Sequence, residues 1–107
     1  MKMFLIESRN AVPIRLTEER LNHIIRNHPD MKNQESRMLE TVNDAEFILE
    51  GDYGELLATR FYLKTPLTSK HLIVAYKEIS KIDGFILTAY YARRISSRRI
   101  ILWKKSQ

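Results

Sequence analysis

The segment "FILTAYYARR", residues 85–94, sets a threonine, two tyrosines and two arginines into one run of strand-like alternation. Elsewhere the chain supplies His23 and His28 in "NHIIRNH", Arg60 in "LATRFYL", and His71 and Lys77 in "KHLIVAYKE". Residues of these types can hold a phosphate and move protons around it. Guanidinium and ammonium groups pair with phosphate oxygens, hydroxyls orient them, and imidazole exchanges protons near neutral pH.

Alternation decides whether these groups can meet. With Asp83-Gly84 as a two-residue hairpin turn, Ile82 pairs with Phe85, Lys77 with Tyr90 and Ala75 with Ala92. Direct partners project to the same face. One face then collects Leu72, Val74, Tyr76, Phe85, Leu87, Ala89 and Tyr91, apolar enough to pack on helices. The other collects His71, Ile73, Ala75, Lys77, Ile86, Thr88, Tyr90, Ala92 and Arg94. A four-residue loop over 81–84 shifts the pairing by two and keeps this partition. In the preceding strand Arg60 alternates with Leu57, Thr59 and Phe61, and it is expected to join the polar face. An ordinary solvent-facing sheet has a similar composition, because Thr, Tyr, Lys and Arg suit an exposed pleated surface.

Metal chemistry fits the sequence poorly. The four aspartates, Asp30, Asp44, Asp52 and Asp83, fall at helix ends and turns, where they act more simply as caps and turn formers. His23 and His28 are five apart, so they do not share one helical face as a zinc pair would, and there is no cysteine. No cofactor is expected. The plain alternatives are that His28 caps a helix C-terminus, that His23 is a surface residue, and that Tyr76, Tyr91 and Trp103 pack the core.

The elements that must position these residues follow from periodicity. Thr17 is a capping residue, Glu18 and Glu19 suit a first helical turn, and Pro29 ends the helix near His28. Leu21, Ile24 and Ile25 form its apolar stripe; His28 falls on that stripe and His23 on the polar side. A second helix is expected from about Gln34 to Asn43. Met3–Ile6 reads as a short strand, and "VPIRL" as the lead into the first helix. Beyond Glu46 the period becomes two, with strands at about 46–51, 55–63, 70–78, 84–93 and 99–104. The expectation is a single α+β domain over 1–107: two N-terminal helices on one face of an antiparallel, mainly meander sheet of four to five strands.

The net charge of +5 is localised. Residues 93–107 hold Arg93, Arg94, Arg98, Arg99, Lys104 and Lys105 and no acid, whereas elsewhere twelve basic and thirteen acidic residues nearly cancel. Such a patch attracts polyanions. No apolar run is long enough to cross a bilayer, and "MKMFLIESRN" lacks the features of a secretion signal, so a cytoplasmic protein without membrane contact is expected.

The segments "RLTEERLNHIIRNHPDM" (15–31), "ETVNDAEFILEGD" (40–52), "TRFYL" (59–63), "KHLIVAYKE" (70–78) and "GFILTAYYARR" (84–94) together resemble, in order and spacing, the phage-type barnase/EndoU/colicin/RelE-like nucleases of the BECR fold. The resemblance implies a metal-independent endoribonuclease, often the toxin of a toxin–antitoxin pair. It maps a helix histidine to His23 or His28, a strand cation to Arg60 or Lys77, and a hydroxyl-bearing strand to Thr88 and Tyr90. The C-terminal "RRISSRR" is more basic than that pattern. Metal-free RNA cleavage needs a base for the 2′-hydroxyl, cations for the phosphorane and an acid for the departing 5′-oxygen. His28 or Lys77 would be the base, Tyr90 or a histidine the acid, and Arg60 and Arg94 the phosphate clamp, with His71, Arg93, Arg98 and Arg99 as further RNA contacts. The partners expected are RNA and an acidic antitoxin. The alternative is a non-catalytic nucleic-acid-binding or antitoxin-binding module using the same basic face.

Overall fold

In the computed structural model, which describes residues 2–106, the chain opens as a hairpin. Strands β1 (Met3–Glu7) and β2 (Pro13–Thr17) pair antiparallel, and alternation turns Ile14 and Leu16 into full burial. Helix α1 (Glu18–Asn27) follows at once, its first turn capped by the Thr17 hydroxyl, which accepts from the Arg20 N–H at 3.1 Å. It ends at His28, whose backbone N–H makes the last bond to Ile24 before a 3-10 turn at Pro29–Met31. Helix α2 (Glu35–Asn43) buries Met38, Thr41 and Val42.

Five more strands complete the sheet: β3 (Phe47–Glu50), β4 (Leu56–Phe61), β5 (His71–Ser80), β6 (Asp83–Ala92) and β7 (Ile101–Lys104). Their spatial order is β1-β2-β6-β5-β4-β3-β7, and β2 runs parallel to β6 through the pairs Ile14–Gly84 and Arg15–Phe85. The sheet is therefore seven-stranded and mixed. The expected four to five antiparallel strands are corrected on both counts, although the α+β class stands. "VPIRL" becomes a strand by pairing with β1 over five residues on one side and with the edge of β6 over two on the other, a long-range contact that local periodicity does not carry.

That parallel contact also moves the expected turn. Asp83-Gly84 does not form the hairpin loop; Ser80 pairs with Asp83, and Lys81 and Ile82 make the turn. Asp83 is held by Arg15 through two bonds of 3.0 and 3.2 Å, and Gly84 lies where β2 passes closest. A Cβ there would stand 2.5 Å from Ile14 Cδ1 and 2.5 Å from the Lys77 carbonyl oxygen. The dipeptide serves strand approach.

Both helices pack on one side of the sheet, over Ile48, Ala58, Leu72, Val74, Tyr76, Ile86, Ala89 and Tyr91. Between the pairs Ala75–Thr88 and Tyr76–Ile86, Leu87 is an extra residue on β6. This bulge changes the face partition expected for Phe85, Ile86 and Leu87. Ile86 enters the helix-side core, Leu87 packs against the second apolar cluster, and Phe85 pairs with Lys77. Above the bulge Thr88, Tyr90 and Ala92 share their face with Ala75, Ile73 and His71, as alternation requires.

The sheet curls enough that the turn between β1 and β2 meets its far end. Arg9 lies over the Trp103 ring at 4.3 Å, and Ser8 and Asn10 both donate to the Glu78 carboxylate.

Two predictions follow from these contacts. Gly84→Ala should destabilise the fold by about 1–3 kcal/mol in urea unfolding, because the new methyl meets a backbone carbonyl that cannot swing away; an unchanged midpoint would mean that β2 and β6 are not so close. The second concerns acid. The Asp44 carboxyl is held below its usual value by its bond to Lys105, with Arg60 adding to the effect, and Asp83 is lowered by Arg15. Groups depressed in the native state contribute fully above about pH 4 and lose that contribution as pH falls through the lowered native value. Asp44→Asn should therefore flatten the acid limb of a stability–pH profile, and an unaltered limb would contradict this.

Candidate functional site

The sheet face opposite the helices carries His71, Lys77, Thr88, Tyr90 and Arg94, as alternation expected, but not Arg60. Its floor is a second apolar cluster of Leu49, Leu57, Ile73 and Ala75, with Phe47, Leu87, Tyr90, Ala92 and Ile95 packed against it. After β6 the chain must pass β5, β4 and β3 to reach β7 at the outer side of β3, and residues 93–100 make that crossing. Ile95 drops onto the floor while the polar residues around it stay exposed. A groove of about 570 Å³ results, with Leu49, Leu57, Ile73 and Ala92 below and Tyr90, Arg94, Ser96, Ser97, Arg98 and Arg99 around it.

Each wall residue has a distinct state. Arg99 is anchored, bonding the Glu50 carbonyl and both oxygens of Asp52 at 2.9 and 3.3 Å. That hydrogen bond raises its pKa, and Tyr90 also acts on it electrostatically. Among the described residues Arg93, Arg94 and Arg98 make no ion pair, so their charge is open to an incoming anion.

At the other side of Tyr90 stands the end of α1. Strand β2 leaves β6 after two pairs, and α1, continuing from β2, covers the edge so vacated; Arg20 donates to the Leu87 carbonyl at 3.4 Å. His28, half-buried at the helix end, brings its ring to 5.8 Å from that of Tyr90. His23 is exposed, contacts Asn27 at 3.3 Å and lines a separate concavity with Arg20 and Arg26. Of the two histidines that the sequence left unseparated, His28 is the one beside the groove. Its backbone, not its ring, makes the helix-capping bond.

Two expectations change. Arg60 does not join this face: it pairs with Leu72 on the helix side and binds the Asp44 carbonyl at 2.8 Å and its carboxylate at 3.1 Å, with Glu40 at 3.5 Å. Tyr62 lies with it, its pKa pushed up to about 12 by burial and by its bond to Glu40, so it remains a neutral donor. Arg60 is a clasp between β4 and the end of α2. Lys77 is on the groove side but is not opposite Tyr90; it pairs with Phe85, four residues along β5 from Ile73, the true partner of Tyr90. That is about 13 Å at strand rise. Lys77 is therefore outside the Tyr90 cluster.

His71 is on the expected face, beside Phe61 at 5.5 Å, with its Nδ1 buried and without a partner among the described residues. Thr59, on the same face and fully buried, also has an unpartnered hydroxyl. Thr88 sits two residues from Tyr90 on one strand face. Sequence reasoning missed Ile95, Ser96 and Ser97 as groove residues; the lone isoleucine inside "RRISSRR" was the available signal. Among the described residues no three His, Asp or Glu side chains are grouped to hold a metal ion, and no helix is long and apolar enough to cross a membrane.

No protein-family model matches the chain, and no curated protein or solved structure does. The geometry of the groove is what carries a functional reading.

If the arginine wall is the anion site, replacing Arg94 and Arg98 together by Gln should weaken binding of a single-stranded oligonucleotide and reduce the slope of log K against log salt by about 1 to 2. Fluorescence anisotropy across a salt series measures this, and an unchanged slope would place the anion site elsewhere.

Proposed function

We propose that the groove binds single-stranded RNA and cleaves it without a metal ion, through attack of the 2′-hydroxyl on the neighbouring phosphate. The observation that carries this reading is one juxtaposition: Tyr90 lines a groove walled by Arg94, Arg98 and Arg99, and the His28 ring stands against it at 5.8 Å. The resemblance to BECR-type nucleases supports the same reaction.

An apolar floor with a cationic wall suits an unpaired strand. Bases can lie on Ile73, Leu57 and Ile95 only if they are not stacked inside a duplex, while arginines take the phosphates. His28 accepts the 2′-hydroxyl proton, Tyr90 donates to the departing 5′-oxygen, and Arg94 and Arg98 stabilise the phosphorane between them. The new bond is from O2′ to phosphorus and the broken bond from phosphorus to O5′, so the product is a 2′,3′-cyclic phosphate and a 5′-hydroxyl end. Thr88 orients the strand from the adjacent position on β6.

The experiment is cleavage of an unpaired, end-labelled RNA in chelator. His28→Ala and Tyr90→Phe should each lower the rate by about 10²–10⁴ with unchanged circular dichroism, whereas Lys77→Ala and Arg60→Lys should leave the cleavage step within a few-fold of the parent. Salt-dependent binding without product would instead identify a binding module on the same face. Cleavage that survives both His28→Ala and Tyr90→Phe would remove the assignment.

A further inference from the structure

Three consecutive apolar side chains are exposed at the start of β7, Ile100 just before the strand and Ile101 and Leu102 within it. Ile100, Ile101 and Leu102 are 62%, 55% and 48% exposed, and Leu102 is the extra residue where the pairing of β7 with β3 slips. On the opposite edge, β1 alternates in the ordinary way, with Met3 and Leu5 outward and Phe4 and Ile6 packed on the core. β7 has no such division: only Trp103 turns inward, and no strand pairs with its outer side among the described residues. The Lys105 N–H reaches the Glu46 carbonyl, so by alternation the backbone of Lys104 turns to the open side. An uncovered apolar edge with free backbone groups is a template for an added strand.

Charge selects what can add. Residues 98–105 contain Arg98, Arg99, Lys104 and Lys105 and no acid. Arg99 and Lys105 already hold Asp52 and Asp44, whereas Arg98 and Lys104 have no acidic partner among the described residues. A second copy paired antiparallel about Ile101 and Leu102 would set Arg99 opposite Lys104 and Arg98 opposite Lys105, and like charges directly opposed are unfavourable. We infer that β7 accepts an acidic, extended segment of a partner protein as an added edge strand, its apolar side chains meeting Ile101 and Leu102 and its carboxylates meeting Arg98 and Lys104. This surface shares Arg98 with the groove wall but does not depend on the catalytic reading.

The test uses the full chain, isotope-labelled, titrated with a short peptide alternating glutamate and valine, and with the same peptide carrying lysine for glutamate. The glutamate peptide should shift the amide resonances of residues 100–105, and the lysine peptide should bind at least about tenfold more weakly. Lys104→Glu should lower affinity for the first peptide and raise it for the second, a swap that loss of folding cannot produce. Leu102→Pro, which removes a backbone donor from the edge, should weaken both. Equal binding of the two peptides, shifts confined to β1, or a dimer held through β7 would each overturn the inference.

Discussion

The arrangement depends on one extra residue. Leu87, bulged between the pairs Ala75–Thr88 and Tyr76–Ile86, lets β6 serve two apolar layers that a regular strand could not serve together. Below the bulge Ile86 turns into the helix-side core beside Tyr76. Above it, Ala89 and Tyr91 turn inward while Thr88 and Tyr90 face the groove. Without the bulge, alternation from Tyr91 and Ala89 would put Leu87 and Phe85 under the helices and expel Ile86. Arg20 donates to the Leu87 carbonyl, tying α1 to the edge that brings His28 to Tyr90.

Much of this was legible locally. The Thr17 cap, the stop before Pro29, the helix near 34–43 and the change of period after Glu46 all follow from short-range steric and hydrogen-bonding preferences, and the strands beyond Glu46 fall close to where alternation put them. The separation of His23 from His28 by helical angle matches their exposure. What failed was long-range. Asp83-Gly84 has the chemistry of a tight turn, yet Arg15 and Ile14, some seventy residues earlier in the chain, claim both positions. Arg60 was on the predicted side of its own strand relative to Leu56 and Ala58, but the choice of face depended on β5, where Arg60 stands beside Leu72 rather than Ile73.

Those two errors share a physical consequence. Strand alternation fixes relative direction only between bulges, as Leu87 shows, and the absolute face is set by pairing, which is decided by residues far apart in sequence. The cations accordingly divide into two populations. Arg60 and Lys105 converge on Asp44, and Arg15 on Asp83, as structural clasps. Arg94 and Arg98 lie in a loop that Ile95, packed onto the floor, pins across a sheet face that has an apolar floor of its own. A basic segment held over an apolar floor differs from a solvated basic tail, and this difference gives the groove its functional reading.

The most direct measurement is the set of amide and side-chain resonance shifts caused by a short unpaired RNA whose reactive 2′-hydroxyls are replaced by 2′-methoxy groups. The account predicts shifts centred on Ile73, Tyr90, Ala92, Arg94 and Arg98, together with the His28 ring. Shifts confined to the helix side around Arg37, Arg60 and Tyr62, with the groove unaffected, would contradict it.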